Sequence, residues 1–393
     1  MRKFILSTVA LFTLNGAGAL ELGNDNATVK WNFRYRMEQV EVDGPLKDAF
    51  ASTLRSRVTF NSASFSIAES LDIRALVEVD HVGLIGGESY NSTVNGKSQF
   101  ATIADPDALD LNQAALAIKW NDSSLVTLGR QRINLGDQRF IGGVGWRQNE
   151  QTFDGVRLTQ NFGKSFQIDI ANLHNANRVF GPDGANADLH GSFNLVHSQW
   201  KVTSEHVLQG YFYDLDFETL PARSSSTNGI DYKGTSNKLS WQLSYASQRD
   251  AHLAPTSYKT NYSRMELSYP IDVVTIKGIY ERLGSDGNSA FQTPFATLHA
   301  FNGFADMFLT TPVKGLEESA IQISFPVGPV KSSVSWHKFY SDVGNTHYGD
   351  ETDVSFVFDL SKELQFLSKL ALYNTDKFQN DTHKFWFMIT YQP

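Results

Sequence analysis

The sequence predicts an all-β fold, a transmembrane antiparallel β-barrel of about eighteen strands with long outer loops. Three observations support this prediction: apolar and polar side chains alternate, the alternating segments are of similar length, and the connections between them are alternately short and long. A strand of roughly ten residues crosses a bilayer at the usual tilt, and only helices and closed barrels satisfy their backbone hydrogen bonds in lipid.

The alternation is clearest in residues 29–38 and 71–80. In the first segment one parity carries Val, Trp, Phe, Tyr and Met, while the other carries Lys, Asn, Arg, Arg and Glu. A strand separates these two sets because its side chains have a period of two, whereas a helix mixes them. The same pattern, less regular, predicts strands at residues 53–62, 111–121, 125–133, 152–162, 165–174, 191–200, 207–217, 226–233, 238–248, 258–269, 273–283, 318–325, 331–341, 353–360, 364–373 and 384–391.

The connections differ systematically in length. Tight connections at residues 163–164 and 234–236 contrast with long ones at 81–110, 134–151 and 285–317. Bacterial outer-membrane barrels have short periplasmic turns and long outer loops, so this asymmetry favours that class over a soluble sandwich.

The N-terminus predicts export. Arg2 and Lys3 precede an apolar stretch at residues 4–14, and small residues follow at Ala17–Ala19. This is the pattern of a signal peptide, predicted here as residues 1–19, with the barrel as one domain over residues 20–393. We therefore expect the protein in the bacterial outer membrane.

Composition narrows the function classes. The chain has no cysteine, so thiol catalysis and thiolate metal sites are excluded, and its net charge of −8 disfavours nucleic-acid binding. Asp80-His81 and Ser285-Asp286 are the best candidates for a catalytic pair, but no motif of a hydrolase or metalloprotease accompanies them. We expect no enzyme activity, no cofactor and no metal site.

Arginine is concentrated in the first half of the chain. Eleven of the fifteen arginines after position 19 lie between Arg34 and Arg178. If the apolar parity faces lipid, the basic parity faces the lumen, because an arginine at the lipid midplane costs about 2–4 kcal/mol. This predicts inward-facing side chains for Lys30, Arg34, Arg36, Arg55, Arg57, Arg74 and Arg157.

An arginine-rich wall is consistent with two roles. Guanidinium groups bind carboxylates bidentately, which favours anionic solutes in the lumen. Carboxylates such as Glu78, Asp80 and Asp169 lie in the same predicted strands, however, and pairing with them would only hold the wall together. The parity of Arg130 and Arg132 is ambiguous, since they share it with Val126 and Leu128, which implies a bulge, a slip near the rim, or a strand that ends before them.

Two long segments resemble a known family. Residues 128–156, LGRQRINLGDQRFIGGVGWRQNEQTFDGV, and residues 291–318, FQTPFATLHAFNGFADMFLTTPVKGLEE, are similar to the signature stretches of the alginate export family of outer-membrane porins. The resemblance also includes residues 110–114 and 172–181 and extends over nearly the whole chain after the signal peptide. It implies a monomeric barrel of about eighteen strands, in contact with membrane lipid, with an electropositive constriction for a polyuronate.

The resemblance also implies the residues of that constriction. Those in the first signature and its edge are Arg130, Arg132, Arg139, Arg147 and Arg157, and Arg34, Arg55 and Arg74 are strand matches. We expect the second signature to be a packed loop or plug and His299 to be hydrogen-bonded without a metal. The expected function is a channel for anionic, alginate-like oligo- or polysaccharides. Uptake of small acidic sugars or organic anions, and a surface barrel without transport, remain alternatives.

Overall fold

The computed structural model describes residues 26–68 and 70–393, so the predicted signal peptide lies outside the described residues. Its strands in the first half of the chain are β1 (Thr28–Val42), β2 (Ala49–Asn61), β3 (Phe65–Ala68), β4 (Leu71–Leu84), β5 (Ala108–Trp120), β6 (Ser124–Gln131), β7 (Thr152–Phe162), β8 (Phe166–Asn177) and β9 (Asp188–Lys201). Those in the second half are β10 (His206–Phe217), β11 (Ser225–Ser236), β12 (Leu239–Asp250), β13 (Lys259–Ile271), β14 (Val274–Leu283), β15 (Leu316–Val327), β16 (Val330–Tyr340), β17 (His347–Asp359), β18 (Leu364–Thr375) and β19 (Thr382–Tyr391).

The strands form one antiparallel sheet that closes on itself. The first and last strands pair from Phe33–Tyr391 to Val42–Thr382, so the barrel has no free edge. β2 and the short β3 both pair with β4 and together occupy one position in the wall. The circumference therefore holds eighteen strands, and the predicted fold is confirmed.

All eighteen predicted strands are present, with ends that differ by a few residues. One predicted turn is wrong: residues 234–236 belong to β11, and the turn follows at Asn237 and Lys238. Gly234 lies opposite Trp241 in the β11–β12 register, and a side chain at position 234 would collide with the Trp241 ring. The glycine therefore makes room for a neighbouring ring rather than for a turn.

Short and long connections lie at opposite ends of the barrel. The end that holds the turns after β5, β7, β9, β11, β13, β15 and β17 also holds both ends of the described chain. The opposite end carries residues 85–107, 132–151 and 284–315, the three longest connections. By the usual asymmetry of such barrels, the long connections are extracellular. Among the described residues, no helix is long and apolar enough to cross a membrane.

The two faces of the wall differ as the alternation requires. On β1, Trp31 is 47% exposed, whereas Arg34, which has the opposite parity, is 1% exposed. Outward side chains meet lipid, and inward ones meet packed protein. The lumen is filled by residues 132–151 and 284–315, called here the first and second inserted loops. Phe291 and Phe295 of the second inserted loop pack against Phe193, Phe217 and Tyr262 of the wall.

Candidate functional site: the inserted loops and the lumen

Arginines of β1, β2 and β4 form one inward-facing wall. Arg34 lies directly opposite Arg55 in the β1–β2 register, and Arg57 lies opposite Asp80 of β4. The set with buried side chains is Arg34, Arg36, Arg55, Arg57 and Arg74. These predicted lumen residues thus lie together.

Most of the charge on this wall is neutralised by carboxylates. Arg57 donates from Nε to Asp80 Oδ1 at 2.6 Å and from Nη1 to Glu150 Oε1 at 2.9 Å. Arg55 reaches the same Glu150 oxygen at 3.5 Å. Glu150 comes from the first inserted loop, so the loop adds a counter-charge to those that β4 supplies. Burial raises the pKa of Glu150, but Arg132 and Arg57 outweigh it and keep that pKa below its ordinary value.

Arg34 and Arg36 bind the backbone of the first inserted loop. Arg34 donates to the carbonyl oxygen of Gly145 at 2.7 Å, to that of Arg147, and to Gln148 Oε1 at 2.9 Å. Arg36 donates to the carbonyl oxygen of Trp146. Three successive carbonyls are therefore held by two wall arginines, which fixes the position of this loop segment in the lumen.

Acidic side chains of β17, three strands from β1 around the barrel, hold the second inserted loop. Glu351 accepts the backbone N–H of Ala305 at 2.7 Å, and Asp353 accepts that of Phe304 at 3.0 Å. Gly303 has φ 83°, and a Cβ there would collide with the Glu351 carboxylate, so glycine permits this close approach. The prediction that the second signature forms a packed plug agrees with these contacts.

Arg139 of the first inserted loop contacts both the second inserted loop and Glu281 of β14. Its Nε donates to Glu281 Oε1 at 2.8 Å, and its Nη2 donates to Asn302 Oδ1 at 3.0 Å. Burial lowers the pKa of Arg139, but Glu281 outweighs this effect and raises the pKa above its ordinary value. Arg139 is thus a fully paired cation within the plug.

Arg147, Asp306 and His299 form a second contact between the loops. Arg147 Nη2 lies 3.1 Å from Asp306 Oδ2, and His299 Nδ1 lies 2.9 Å from Asp306 Oδ1. Lys369 of β18 lies 3.0 Å from His299 Nε2. Burial, opposed by Asp306, lowers the pKa of His299 to about 3, so the imidazole is neutral and hydrogen-bonded at both nitrogens.

Arg132 and Arg157, two further predicted lumen residues, point inward and contact carboxylates. Arg132 lies beyond the end of β6 and turns inward, where its Nη2 is 2.8 Å from Glu78 Oε1. Arg157 also faces inward and lies 2.6 Å from Asp169 Oδ1. Both are paired with wall carboxylates.

Arg130 faces outward, which corrects its assignment to the lumen. It shares the parity of Leu128, whose register partners Leu116 and Val156 are 47% exposed on the outer surface. Arg130 lies opposite Ala114 of β5, and the register of β6 with β5 and β7 runs without a shift, so Arg130 keeps the outward parity of Leu128. On that outer face, near the rim, its Nε lies 2.8 Å from Asp154 Oδ1.

The inserted loops divide the lumen into two cavities. The outer cavity, of about 430 Å³, opens among the long connections and is lined by Arg147, Arg178, Arg223 and Lys384 together with Asp306. The inner cavity, of about 210 Å³, is lined by charged groups of both signs, including Arg132, Glu150, Arg264, Glu266 and Lys369. Trp146 and His299 line both cavities.

Two cations of the outer cavity were missed by the sequence reasoning. Among the described residues, neither Arg178 nor Arg223 forms an ion pair with a carboxylate, and Arg178 lies over the Phe180 ring at 4.6 Å. Burial and the nearby Arg223 lower the pKa of Arg178 to about 10, which leaves it protonated at neutral pH. Arg178 lies within residues 172–181, so the family resemblance alone pointed to it.

Comparison with known proteins shows similarity to one protein family and to several solved structures. The profile of the alginate export family matches residues 54–261. Among solved structures, OccAB4 of Acinetobacter baumannii is 12% identical, with 94% of this chain and 98% of that chain covered and a TM-score of 0.74. OpdL of Pseudomonas aeruginosa is 11% identical, and the match covers 93% of this chain and 98% of that chain with a TM-score of 0.72. At these identities the likeness shows the fold alone.

No curated protein matches the sequence. The family match covers more than half of the chain, and the closed eighteen-stranded barrel agrees with it. The chain therefore belongs to the alginate export family, and it is an outer-membrane porin.

Proposed function

We propose that this porin passes small carboxylate-bearing solutes, such as acidic sugars and short oligouronates, through the outer cavity. The observation that carries the proposal is the charge of that cavity. Its lining includes four cationic side chains. Arg147 is paired with Glu38 and Asp306, and Lys384 lies 3.9 Å from Asp306. Among the described residues, Arg178 and Arg223 have no carboxylate partner, so they give the cavity an excess of positive charge. A concave site with excess charge of one sign concentrates the opposite ion.

The arginines that support this proposal are those of the outer cavity rather than those of the wall. Arg57 and Arg139 are held by carboxylates, and Arg34 is held by loop carbonyls. Arg178 and Arg223 are half-buried and keep their donors available to a ligand. A carboxylate binds such a group bidentately, and a sugar ring supplies the hydroxyls that polar loop groups such as Gln292 and Thr293 bind.

The size of the cavities favours small solutes over an extended polyuronate. The outer cavity has a volume typical of a site for one small molecule, and the inserted loops separate it from the inner one. A polymer would need a continuous passage through both. Of the two transport alternatives raised by the sequence, passage of small acidic solutes is therefore better supported.

Planar-bilayer recordings of the purified barrel test this proposal. In a potassium chloride gradient near ~0.1 M, where screening is weak, we expect an anion-selective reversal potential and current block by a short oligouronate. The R178S/R223S variant should shift the reversal potential toward cation selectivity and weaken the block by about tenfold.

The matched control is R249S/K259S. It removes two positive charges from exposed, outward-facing positions that lie opposite each other on β12 and β13. This control should keep the reversal potential and the block of the unmodified protein. A cation-selective wild-type pore, or equal block in both double variants, would contradict the proposal, and a barrel without measurable conductance would favour a non-transporting role.

A further inference from the structure

We propose that the stacked rings of Trp146 and His299 form the selectivity filter of the channel, and that the Trp146 indole N–H binds an oxygen of the passing solute. The steric part of this proposal depends only on the porin fold. The binding part rests on the proposed function, since it takes the solute to be a carboxylate-bearing or hydroxylated molecule.

The position of the pair is the first observation. Trp146 and His299 come from different inserted loops, and their ring centroids lie 3.9 Å apart with planes 5° from parallel. Both rings line the outer cavity and both line the inner cavity. A solute that moves between the cavities at this point must pass the stacked pair.

The second observation identifies which ring moves. Arg34 and Arg36 hold the carbonyl oxygens of residues 145–147, so the backbone beneath Trp146 is fixed. His299 is fixed by hydrogen bonds at both of its nitrogens, to Asp306 and Lys369. The indole side chain, in contrast, stacks on His299, meets the edge of Trp386 and lies against the cations of Arg36 and Lys369. It makes no hydrogen bond to a described residue, so opening is a rotation of the Trp146 side chain rather than a movement of the loop.

The third observation is an unused hydrogen-bond donor. Trp146 is 5% exposed, yet its Nε1 has no hydrogen-bond partner among the residues that the structure describes. A buried indole N–H normally finds an acceptor, and a missing one calls for an explanation. Within the described part of the chain the Nε1 of Trp386 also lacks a partner, but Trp386 packs edge-on against Trp146 and lines neither cavity. Of these two donors, only the one on Trp146 lies where a solute passes.

Cations on both sides of the pair define the chemistry of the solute. Arg147 lines the outer cavity and Lys369 lines the inner one, with its Nζ 4.2 Å from the Trp146 ring centroid. A carboxylate that leaves the outer cations would accept a hydrogen bond from the Trp146 indole and then meet Lys369. The filter therefore discriminates by ring size and by the presence of an acceptor oxygen.

Single-channel conductance of W146A tests the steric part. At ~1 M potassium chloride, where fixed charge is screened, W146A should conduct at least about twofold more than the wild-type protein. L309A, which shortens an exposed side chain of the outer cavity alone, should remain close to wild type. Heat-modifiable electrophoretic mobility verifies assembly, and W146L replaces W146A if the latter does not assemble. Unchanged conductance in an assembled variant overturns the filter.

Cysteine labelling gives a second steric measurement, because the chain has no cysteine. Ala104 lines the outer cavity and Ala300 lines the inner one, so A104C and A300C are a matched pair. An anionic thiol reagent added from the side of the long connections should label A104C quickly and A300C slowly, and W146A should accelerate only A300C. Equal rates in the parent background overturn the filter.

The binding part is tested with W146F, which keeps an aromatic ring and removes the N–H. We expect nearly unchanged conductance in potassium chloride but weaker block by the oligouronate. Unchanged block overturns the role of the N–H. If W146A raises conductance and no anion blocks the wild-type pore, the steric filter holds and the proposed function fails, so the two failures are distinguishable.

Discussion

Arg57 and Arg178 are the same residue type in the same lumen, but their surroundings are opposite. Arg57 is buried on the wall and lies 2.5 Å from Asp80 and 2.9 Å from Glu150. Arg178 is half-buried in a loop, with Phe180 and Arg223 as its neighbours. The first arginine neutralises carboxylates and stabilises the barrel, whereas the second is available to a solute. The number of arginines along the chain does not distinguish these two roles. The contacts of each arginine do distinguish them.

The largest expected effect is on stability, from R57S. This change removes the cation that Asp80, Glu78 and Glu150 share, and Arg132 then contacts only Glu78 and Glu150 of these three carboxylates. Breaking a buried ion pair by removing one partner costs about 3–5 kcal/mol, so urea should unfold R57S at a clearly lower concentration in detergent micelles. R178S, which breaks no ion pair, should unfold like the wild-type protein. Equal destabilisation of both variants would remove the distinction between the two arginines.

A smaller effect is expected from pH. Burial and Arg223 lower the pKa of Arg178 to about 10, so it is fully protonated below pH 8 and loses its charge as the pH rises through that value. The contribution of Arg178 to anion selectivity should therefore decline as the pH rises toward about 10.

The R178K variant sharpens this test. Lysine has a lower ordinary pKa than arginine, and burial lowers it further, so R178K should lose anion selectivity at a lower pH than the wild-type protein. Reversal potentials measured across the pH range, with R249K as the exposed control, check this order. Identical pH profiles for R178K and wild type would show that position 178 does not set the selectivity.

The fold was predictable because the membrane imposes a simple rule on each strand. Outward side chains meet lipid and inward ones do not, so the period of two is written directly into segments such as β1 and β4. An exception arises where packing overrides the local pattern. Gly234 resembles a turn residue but accommodates Trp241. Arg130, in contrast, follows the alternation of its strand: it keeps the outward parity of Leu128, and the family resemblance had placed it in the lumen.

The site was less predictable because its contacts are distant in sequence. The inward positions of Arg34 and Arg57 followed from parity, but their partners Gln148 and Glu150 lie in a loop about a hundred positions away. Nothing in the strand pattern indicates that this loop enters the lumen. The family resemblance pointed to the correct segments, but it could not show that Trp146 stacks on His299.

The smallest expected effect comes from Arg157, which is intermediate between the two extremes. It faces the lumen with its side chain 21% exposed, but it lies 2.6 Å from Asp169. R157S leaves that carboxylate unpaired, so selectivity at low salt should shift toward cations by roughly a factor of two. R157S/D169N removes both charges and should restore the wild-type reversal potential.

Block by an oligouronate then decides the role of Arg157. If Arg157 only neutralises Asp169, which also accepts a hydrogen bond from Thr159 Oγ1 at 2.7 Å, R157S/D169N should be blocked as strongly as the wild-type pore. If Arg157 contacts the solute, the double variant should lose part of the block although its net charge is restored. We expect full block, because this guanidinium donates from both Nε and Nη2 to the same Asp169 oxygen and is thereby held at the wall.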